Sequence, residues 1–323
     1  MMAQITLYPM LLEPTLHVKV WGGRHLETVM HKALPTDEPY GEAWEMHDTS
    51  KVINGALAGR TLGDLLTTYG ADLIGDISDP KDGMPLLVKL LDANDWLSVQ
   101  VHPNDAQAKE LEGEPRGKTE AWYVINAEQD ARIVIGVNPD ATREEVAAAI
   151  RENRFEEMLV YASVDVGDIL YVAAGTIHAL GPGVLVYEIQ QSSDTTYRLY
   201  DWGRMGLDGK PRPLHIDKSL IVARIGSLPP IVYSGGDLRP VVPVVESPFF
   251  ETILHQLDNA SADLDTEKRF FHVLTCIEGE MGIHAAGHDS ITLTSGRSAF
   301  IPARIGAYML KGTGKVLRSY QHA

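Results

Sequence analysis

The feature that most limits this chain is a succession of short β-rich runs, each closed by a turn signal. ITLYPML, HVKVWGG, MPLLVKLLDA, WLSVQVHP, EAWYVINA, ARIVIGV, DILYVAAG, VLVYEIQ, FFHVLTCIEG and SAFIPA follow one another along the sequence. Runs of this length, punctuated by 29 glycines and 18 prolines, predict an all-β sandwich or barrel core. Two segments read as helices. Thr61-Leu-Gly-Asp64 opens an amphipathic stretch through Leu65, Leu66 and Leu73, and Thr142-Arg-Glu-Glu145 reads as a capping box ahead of Val146, Ile150, Phe155 and Leu159. Each lies between strand runs as an insertion, not as the crossover of a parallel sheet.

A weak internal repeat emerges when strand pairs are overlaid. Tyr123–Glu128 with Val166–Val172 parallels Thr275–Glu280 with Ser295–Ile301, the look of a duplicated jelly roll. In that overlay His178 falls on Ala307, so the second copy lacks a histidine that the first keeps. The expected division is a working barrel with helical insertions over residues 1–235 and a metal-free barrel over 236–323. SLPPIVYSGGDLRP is the expected linker.

Charge and cysteine content narrow the function. With 28 Lys plus Arg against 44 Asp plus Glu, the 323-residue chain carries a net charge of −16, which repels nucleic acid in the absence of a basic patch. An anionic small substrate would therefore need a few cations focused inside a pocket. A single cysteine, Cys276, excludes an intrachain disulfide framework and, with no signal-like start, points to a cytoplasmic protein. No apolar run is long enough to span a bilayer, so no membrane role is expected.

The chemistry sits in three segments. In Trp96–His102, Leu97, Val99 and Val101 alternate with Ser98, Gln100 and His102, so a strand would pack one set and project the other. Taken alone, that polar face reads as solvent-exposed. Glu120 enters the apolar strand EAWYVI, where a solvated strand end is the plainer reading, and His178 follows the tight bend Ala-Ala-Gly-Thr, where a structural histidine is the plainer one. Together, two imidazoles, a carboxylate and an amide oxygen make a plausible divalent-metal set that suits zinc and permits manganese or cobalt.

These residues lie in blocks that resemble the type I mannose-6-phosphate isomerases, especially their short bacterial form. The blocks are Lys19-Val-Trp-Gly-Gly23, Gly41-Glu-Ala-Trp44, Leu87-Val-Lys-Leu90, Leu97-Ser-Val-Gln-Val-His-Pro103, Gly117-Lys-Thr-Glu120, Ala174-Gly-Thr-Ile-His178 and the run from Gln191 through Asp-Thr-Thr-Tyr-Arg198 to Arg204. The last third is similar only as a degraded cupin barrel. The resemblance implies a mainly β fold of duplicated cupin-type jelly-roll barrels with a few inserted helices. It implies one Zn2+ held by Gln100, His102, Glu120 and His178, a catalytic Arg198, and active-site positions at Lys118, Lys89, Ser98 and Glu188. His47, where many relatives carry small polar residues, is read as a surface histidine.

The implied reaction interconverts mannose 6-phosphate and fructose 6-phosphate through an enediol. Lys89 and Ser98 offer a phosphate anchor, with Arg204 as a further cation; the plainer alternative, Lys89 snorkelling from a barrel edge, is set aside on the resemblance alone. Glu188, Lys118 and a metal-bound water or hydroxide are all acceptable as carrier of the C1–C2 proton. The alternative readings are an exposed turn lysine at Lys118 and a Glu188 paired with Arg198. The expected partner is a small sugar phosphate, with monomer and dimer both open. Two other classes fit parts of the pattern: a dioxygenase using His102, Glu120 and His178 on iron, and a non-catalytic sugar-binding barrel.

Overall fold

A computed structural model describes residues 6–233 and 237–321. The expected division at residue 235 and the middle of the expected linker, residues 234–236, lie outside the described residues, as do residues 1–5 at the chain start. Strands dominate. A seven-stranded sheet runs in the order Ile231–Val232, Ile169–Val172, Glu120–Ala127, Val184–Gln191, Leu86–Ala93, Thr15–Gly23, Tyr40–Met46. The strand Arg132–Val137, flanked by Ala179–Leu180 and Leu159–Ser163, and the pair Val99–Val101 with Tyr197–Tyr200 complete this part of the molecule.

An eight-stranded sheet forms the rest, built mainly from the long strands Phe250–Asp265, His272–Ala285 and Ala307–Gln321. The early strands Met10–Glu13 and Lys51–Val52 join it, Met10 pairing with Phe300. The proposed division at residue 235 therefore separates most, but not all, of the strands of each sheet.

The repeat is visible residue by residue in the ladders. Trp122 lies opposite Leu170 on one side and Glu188 on the other; its overlay counterpart Leu274 lies opposite Ala299 and Arg318. Glu120 faces Val172, and His272 faces Ile301. Both central strands even bulge at the same place, after Val124 opposite Val186 and after Cys276 opposite Val316. A bulge locally re-aims side chains, so its repetition makes the two copies equivalent in geometry and not only in strand order.

All eight residues of Val184–Gln191 are buried, the apolar run Val-Leu-Val-Tyr187 together with Glu188, Gln190 and Gln191. Its Leu185, Tyr187 and Ile189 belong to an apolar cluster that also holds Phe250, Val273, Phe300 and Leu317 of the second sheet. Val184 and Val186 belong to a separate cluster within the first barrel. Each large side chain buried at the join contributes roughly 1.5–3 kcal/mol.

The helices follow their caps. Thr61 and Thr142 each close the expected capping box, with Asp64 and Glu145. The second helix ends at Arg151, short of Phe155 and Leu159, because Asn153 adopts the left-handed backbone (φ 54°), which a helix cannot continue through. Asp105–Glu112, missed from sequence, is capped reciprocally by Asn104 and Gln107.

Candidate active site

Gln100 sits at the centre of a short row. Its backbone exchanges two 3.0 Å hydrogen bonds with His178 on one side, and on the other it pairs in register with Arg198. Residues directly opposite in a ladder point to the same face, so the three side chains line one surface. His102 follows two residues on, and Leu97, Val99 and Val101 are buried as the alternation requires. Ahead of His178, the Thr176 N–H donates to Ala173 O, and Gly175 carries φ 87°; a Cβ there would lie 2.9 Å from Val222 O. Only glycine fits that bend.

His102, Glu120 and His178 are at most 1% exposed. The Nδ1–H of His102 donates to Thr195 O and that of His178 to Thr176 O, both at 2.9 Å. A carbonyl can only accept, so both rings are fixed with bare Nε2 atoms turned inward. His178 Nε2 lies 3.2 Å from Glu120 Oε1, and His102 Nε2 lies 3.5 Å from Oε2. Despite this proximity, His102 Nε2 makes no hydrogen bond, and Glu120 Oε1 has no donor within reach.

Burial and Lys118 keep His102 well below its ordinary pKa, hence neutral. Burial opposes charge on Glu120, but the Lys118 ammonium outweighs it and holds the carboxyl well below its usual range. The Gln100 amide nitrogen lies 3.3 Å from His178 Nε2, and half a turn of that amide presents its oxygen instead. Lone pairs of two imidazoles, a carboxylate and an amide oxygen converging on one buried point are what a divalent metal ion requires.

Beside this cluster opens a cavity of about 270 Å³, at the small end of ligand pockets. Arg198, Lys89, Ser98, Lys118, Glu188 and Gln100 all border it. Lys89 is 4% exposed, with Nζ 3.2 Å from Glu188 Oε1 and 5.4 Å from the Trp44 ring, so it does not snorkel. Glu188 thus pairs with Lys89 and not with Arg198, while its Oε2 accepts from Trp122 Nε1 at 2.8 Å. Lys118 is no exposed turn residue: it is 4% exposed, its Nζ 3.0 Å from Glu120 Oε2. Burial disfavours its charge, yet Glu120, Glu188 and Asp194 raise its pKa. Arg198 donates from Nη1 to Pro213 O at 2.9 Å, leaving its buried Nε without a partner.

Arg204 is not brought into the cavity. Asp201, 3.1 Å away, and Asp95, 3.3 Å away, hold it aside, whereas Arg212, also bound to Asp201, reaches the wall. Sequence reasoning missed Arg212, which arrives on a loop with no periodic pattern. It also missed Glu42, paired to Lys19 at 2.9 Å and to Trp44 Nε1 at 2.7 Å. Burial works against that carboxylate, but Lys89 and Lys19 pull its pKa down to about 2. A buried acid flanked by aromatic and lysine positions in two of the quoted blocks was the available signal. His47 is half-buried, its ring edge-on to Trp44 at 4.9 Å, and lines a neighbouring pocket instead.

Comparison with known proteins agrees with this geometry. The pattern of the phosphomannose isomerase type I catalytic domain matches residues 10–153, and that of the mannose-6-phosphate isomerase cupin domain matches residues 242–321. A mannose-6-phosphate isomerase of Streptococcus mutans is 36% identical over 97% of this chain and 98% of its own length. Mannose-6-phosphate isomerase ManA of Bacillus subtilis is 35% identical over 98% of this chain and 100% of its own. A crystal structure of the Bacillus subtilis mannose 6-phosphate isomerase aligns with a TM-score of 0.87 at 30% identity, covering 98% of this chain and 99% of that one. With identity at this level along nearly its whole length, the chain belongs to the type I mannose-6-phosphate isomerase family.

Proposed function

We infer that the chain interconverts mannose 6-phosphate and fructose 6-phosphate through an enediol, at a centre where Gln100, His102, Glu120 and His178 hold one zinc ion. The observation that carries this reading is the meeting of two imidazole Nε2 atoms and the Glu120 carboxylate at one buried point beside a cavity that several cations line. Two imidazoles, a carboxylate and an amide oxygen suit zinc, and bound there it supplies Lewis acidity and a template for the sugar oxygens.

The chain's own groups do the rest. Arg198, one strand away from Gln100, offers a fixed cation to the oxygen that gains charge in the enediol. Lys89 and Ser98 provide an ammonium and a hydroxyl for the phosphate, and Arg212 takes the part expected of Arg204. These cations answer the repulsion that a chain of net charge −16 exerts on an anion. Lys118 and Glu188 both border the cavity and are the side-chain candidates for carrying the proton between C2 and C1, beside a metal-bound water or hydroxide.

The test is a coupled isomerase assay on mannose 6-phosphate, run before and after chelation and again after zinc is returned. Activity should vanish and reappear; turnover indifferent to the chelator would defeat the zinc reading. Exchange of the C2 hydrogen with solvent, measured in Lys118→Met and Glu188→Gln, separates the proton carrier from a residue that only binds.

A further inference from the structure

The repeated register identifies which residues of the second barrel stand where the catalytic cavity lies in the first. His272 holds the place of Glu120, because each faces the equivalent residue of the neighbouring strand, Ile301 and Val172. Arg318 holds the place of Glu188, lying opposite Leu274 as Glu188 lies opposite Trp122. Leu91, a wall of the catalytic cavity, lies opposite Val186; in the second barrel Val316 takes that position and His255 lies opposite it. Two carboxylates and an aliphatic side chain are thereby exchanged for two imidazoles and a guanidinium.

Two of these three groups, His255 and Arg318, lack the partners that burial calls for. His255 and His272 are each 2% exposed. Neither ring nitrogen of His255 has a hydrogen bond, and Nε of Arg318 is also buried without one. Arg318 lies over the Tyr320 ring at 5.1 Å, and that ring is 5.1 Å from the His272 imidazole, whose Nδ1 is 2.7 Å from Tyr308 Oη. The Glu251 carboxylate is taken up by the Tyr320 hydroxyl. Burial and Arg318 together keep both imidazoles neutral. A fixed cation beside two imidazoles, with no carboxylate among them, repels a metal ion and favours an anion. Donors converging from three strands suit a tetrahedral oxyanion, whose oxygens point in several directions where those of a planar carboxylate share one plane.

We propose that the interior of the second barrel binds a phosphoryl dianion at Arg318, His255 and His272, a site distinct from the catalytic cavity. An incoming dianion accepts from the guanidinium and from an N–H of each imidazole, which engages the idle nitrogens of Arg318 and His255. The barrel that lost the metal set has on this account kept the position and reversed its charge.

The test uses the full chain labelled with 15N-histidine, titrated at constant ionic strength with inorganic phosphate, fructose 6-phosphate or chloride. The His255 and His272 imidazole resonances should shift saturably with phosphate and not with chloride. A response to the sugar phosphate at lower concentration marks a phosphoester as the ligand; an equal response marks free phosphate. His255→Leu, which installs the side chain found at Leu91, should weaken the His272 response roughly ten- to a hundredfold without lowering Tm. Arg318→Met should weaken it as much; if that variant does not fold, His255→Leu alone decides. Histidine resonances that stay fixed, that follow chloride equally, or that titrate unchanged in His255→Leu would overturn the proposal.

Discussion

Arg198 stands directly across its ladder from Gln100, whose other backbone edge is bonded to His178. Neighbouring strands lie about 4.8 Å apart, so the guanidinium is set one strand away from the row of proposed metal ligands by the sheet itself. A charge fixed in this way needs little reorganisation when an oxyanion develops beside it, which is the condition under which such donors contribute most to rate.

Arg198→Ala should therefore lower kcat on mannose 6-phosphate by about 10²–10³ while leaving zinc content unchanged. Turnover and metal analysis on the same preparation check both halves. A variant that isomerises as fast as the parent removes Arg198 from the reaction.

Gly175→Ala tests how His178 is aimed. The left-handed φ and the 2.9 Å approach to Val222 O oppose any Cβ, so the bend must open and carry His178 with it. Displacing the support of a metal-binding histidine typically costs 10- to 100-fold in affinity. Chelator competition should show zinc held more weakly by about that factor, with activity recovering at raised zinc.

Arg212 and Arg204 share Asp201, yet only Arg212 borders the cavity. Arg212→Met should raise KM for the sugar phosphate about tenfold or more, the worth of a hydrogen bond to a charged group, with a smaller effect on kcat. Arg204→Met should change KM little. The reverse order would restore Arg204 as the substrate cation.

Much of this site was legible because it lies on regular strands. Alternation along Leu97–Val101 put Gln100 and His102 on one face, and the overlay of the two strand sets gave the relation of His178 to Ala307. What escaped reading depends on contacts distant in sequence. The displacement of Arg204 by Arg212 follows from their shared Asp201, whose partners lie on an irregular loop. That Met10–Glu13 would pair with a strand almost three hundred residues on left no local trace, since an edge strand reads alike in either sheet. The helix Asp105–Glu112 was legible in the Asn104 and Gln107 spacing, but its low hydrophobicity gave no apolar stripe to draw attention.

The buried pair Lys32–Glu45 ties the two sheets together. Lys32 Nζ lies 2.6 Å from Glu45 Oε1 and donates to Gly296 O at 2.6 Å, while Ser298 Oγ donates to Glu45 Oε2 at 2.9 Å. Lys32→Met strands a buried carboxylate and should cost about 3–5 kcal/mol in denaturant unfolding. Lys32→Met with Glu45→Leu should regain much of that loss, since no charge is left unpaired.

Glu42 gives the fold an acid-sensitive contact whose sign follows from its environment. Its pKa falls from an ordinary 4.5 to about 2, because Lys89 and Lys19 outweigh the burial that opposes its charge. A depressed carboxyl binds its proton more readily in the unfolded chain than in the folded one, so its contribution is fully present above pH 4.5 and is lost as pH falls towards 2. The shift corresponds to about 3 kcal/mol. Glu42→Gln should therefore be less stable than the parent by about that amount at pH 6, with the gap closing as unfolding is followed down to pH 2.5. A gap that stays constant across that range would mean that the charge of Glu42 contributes nothing to the fold, and that its role lies in the hydrogen bond from Trp44 alone.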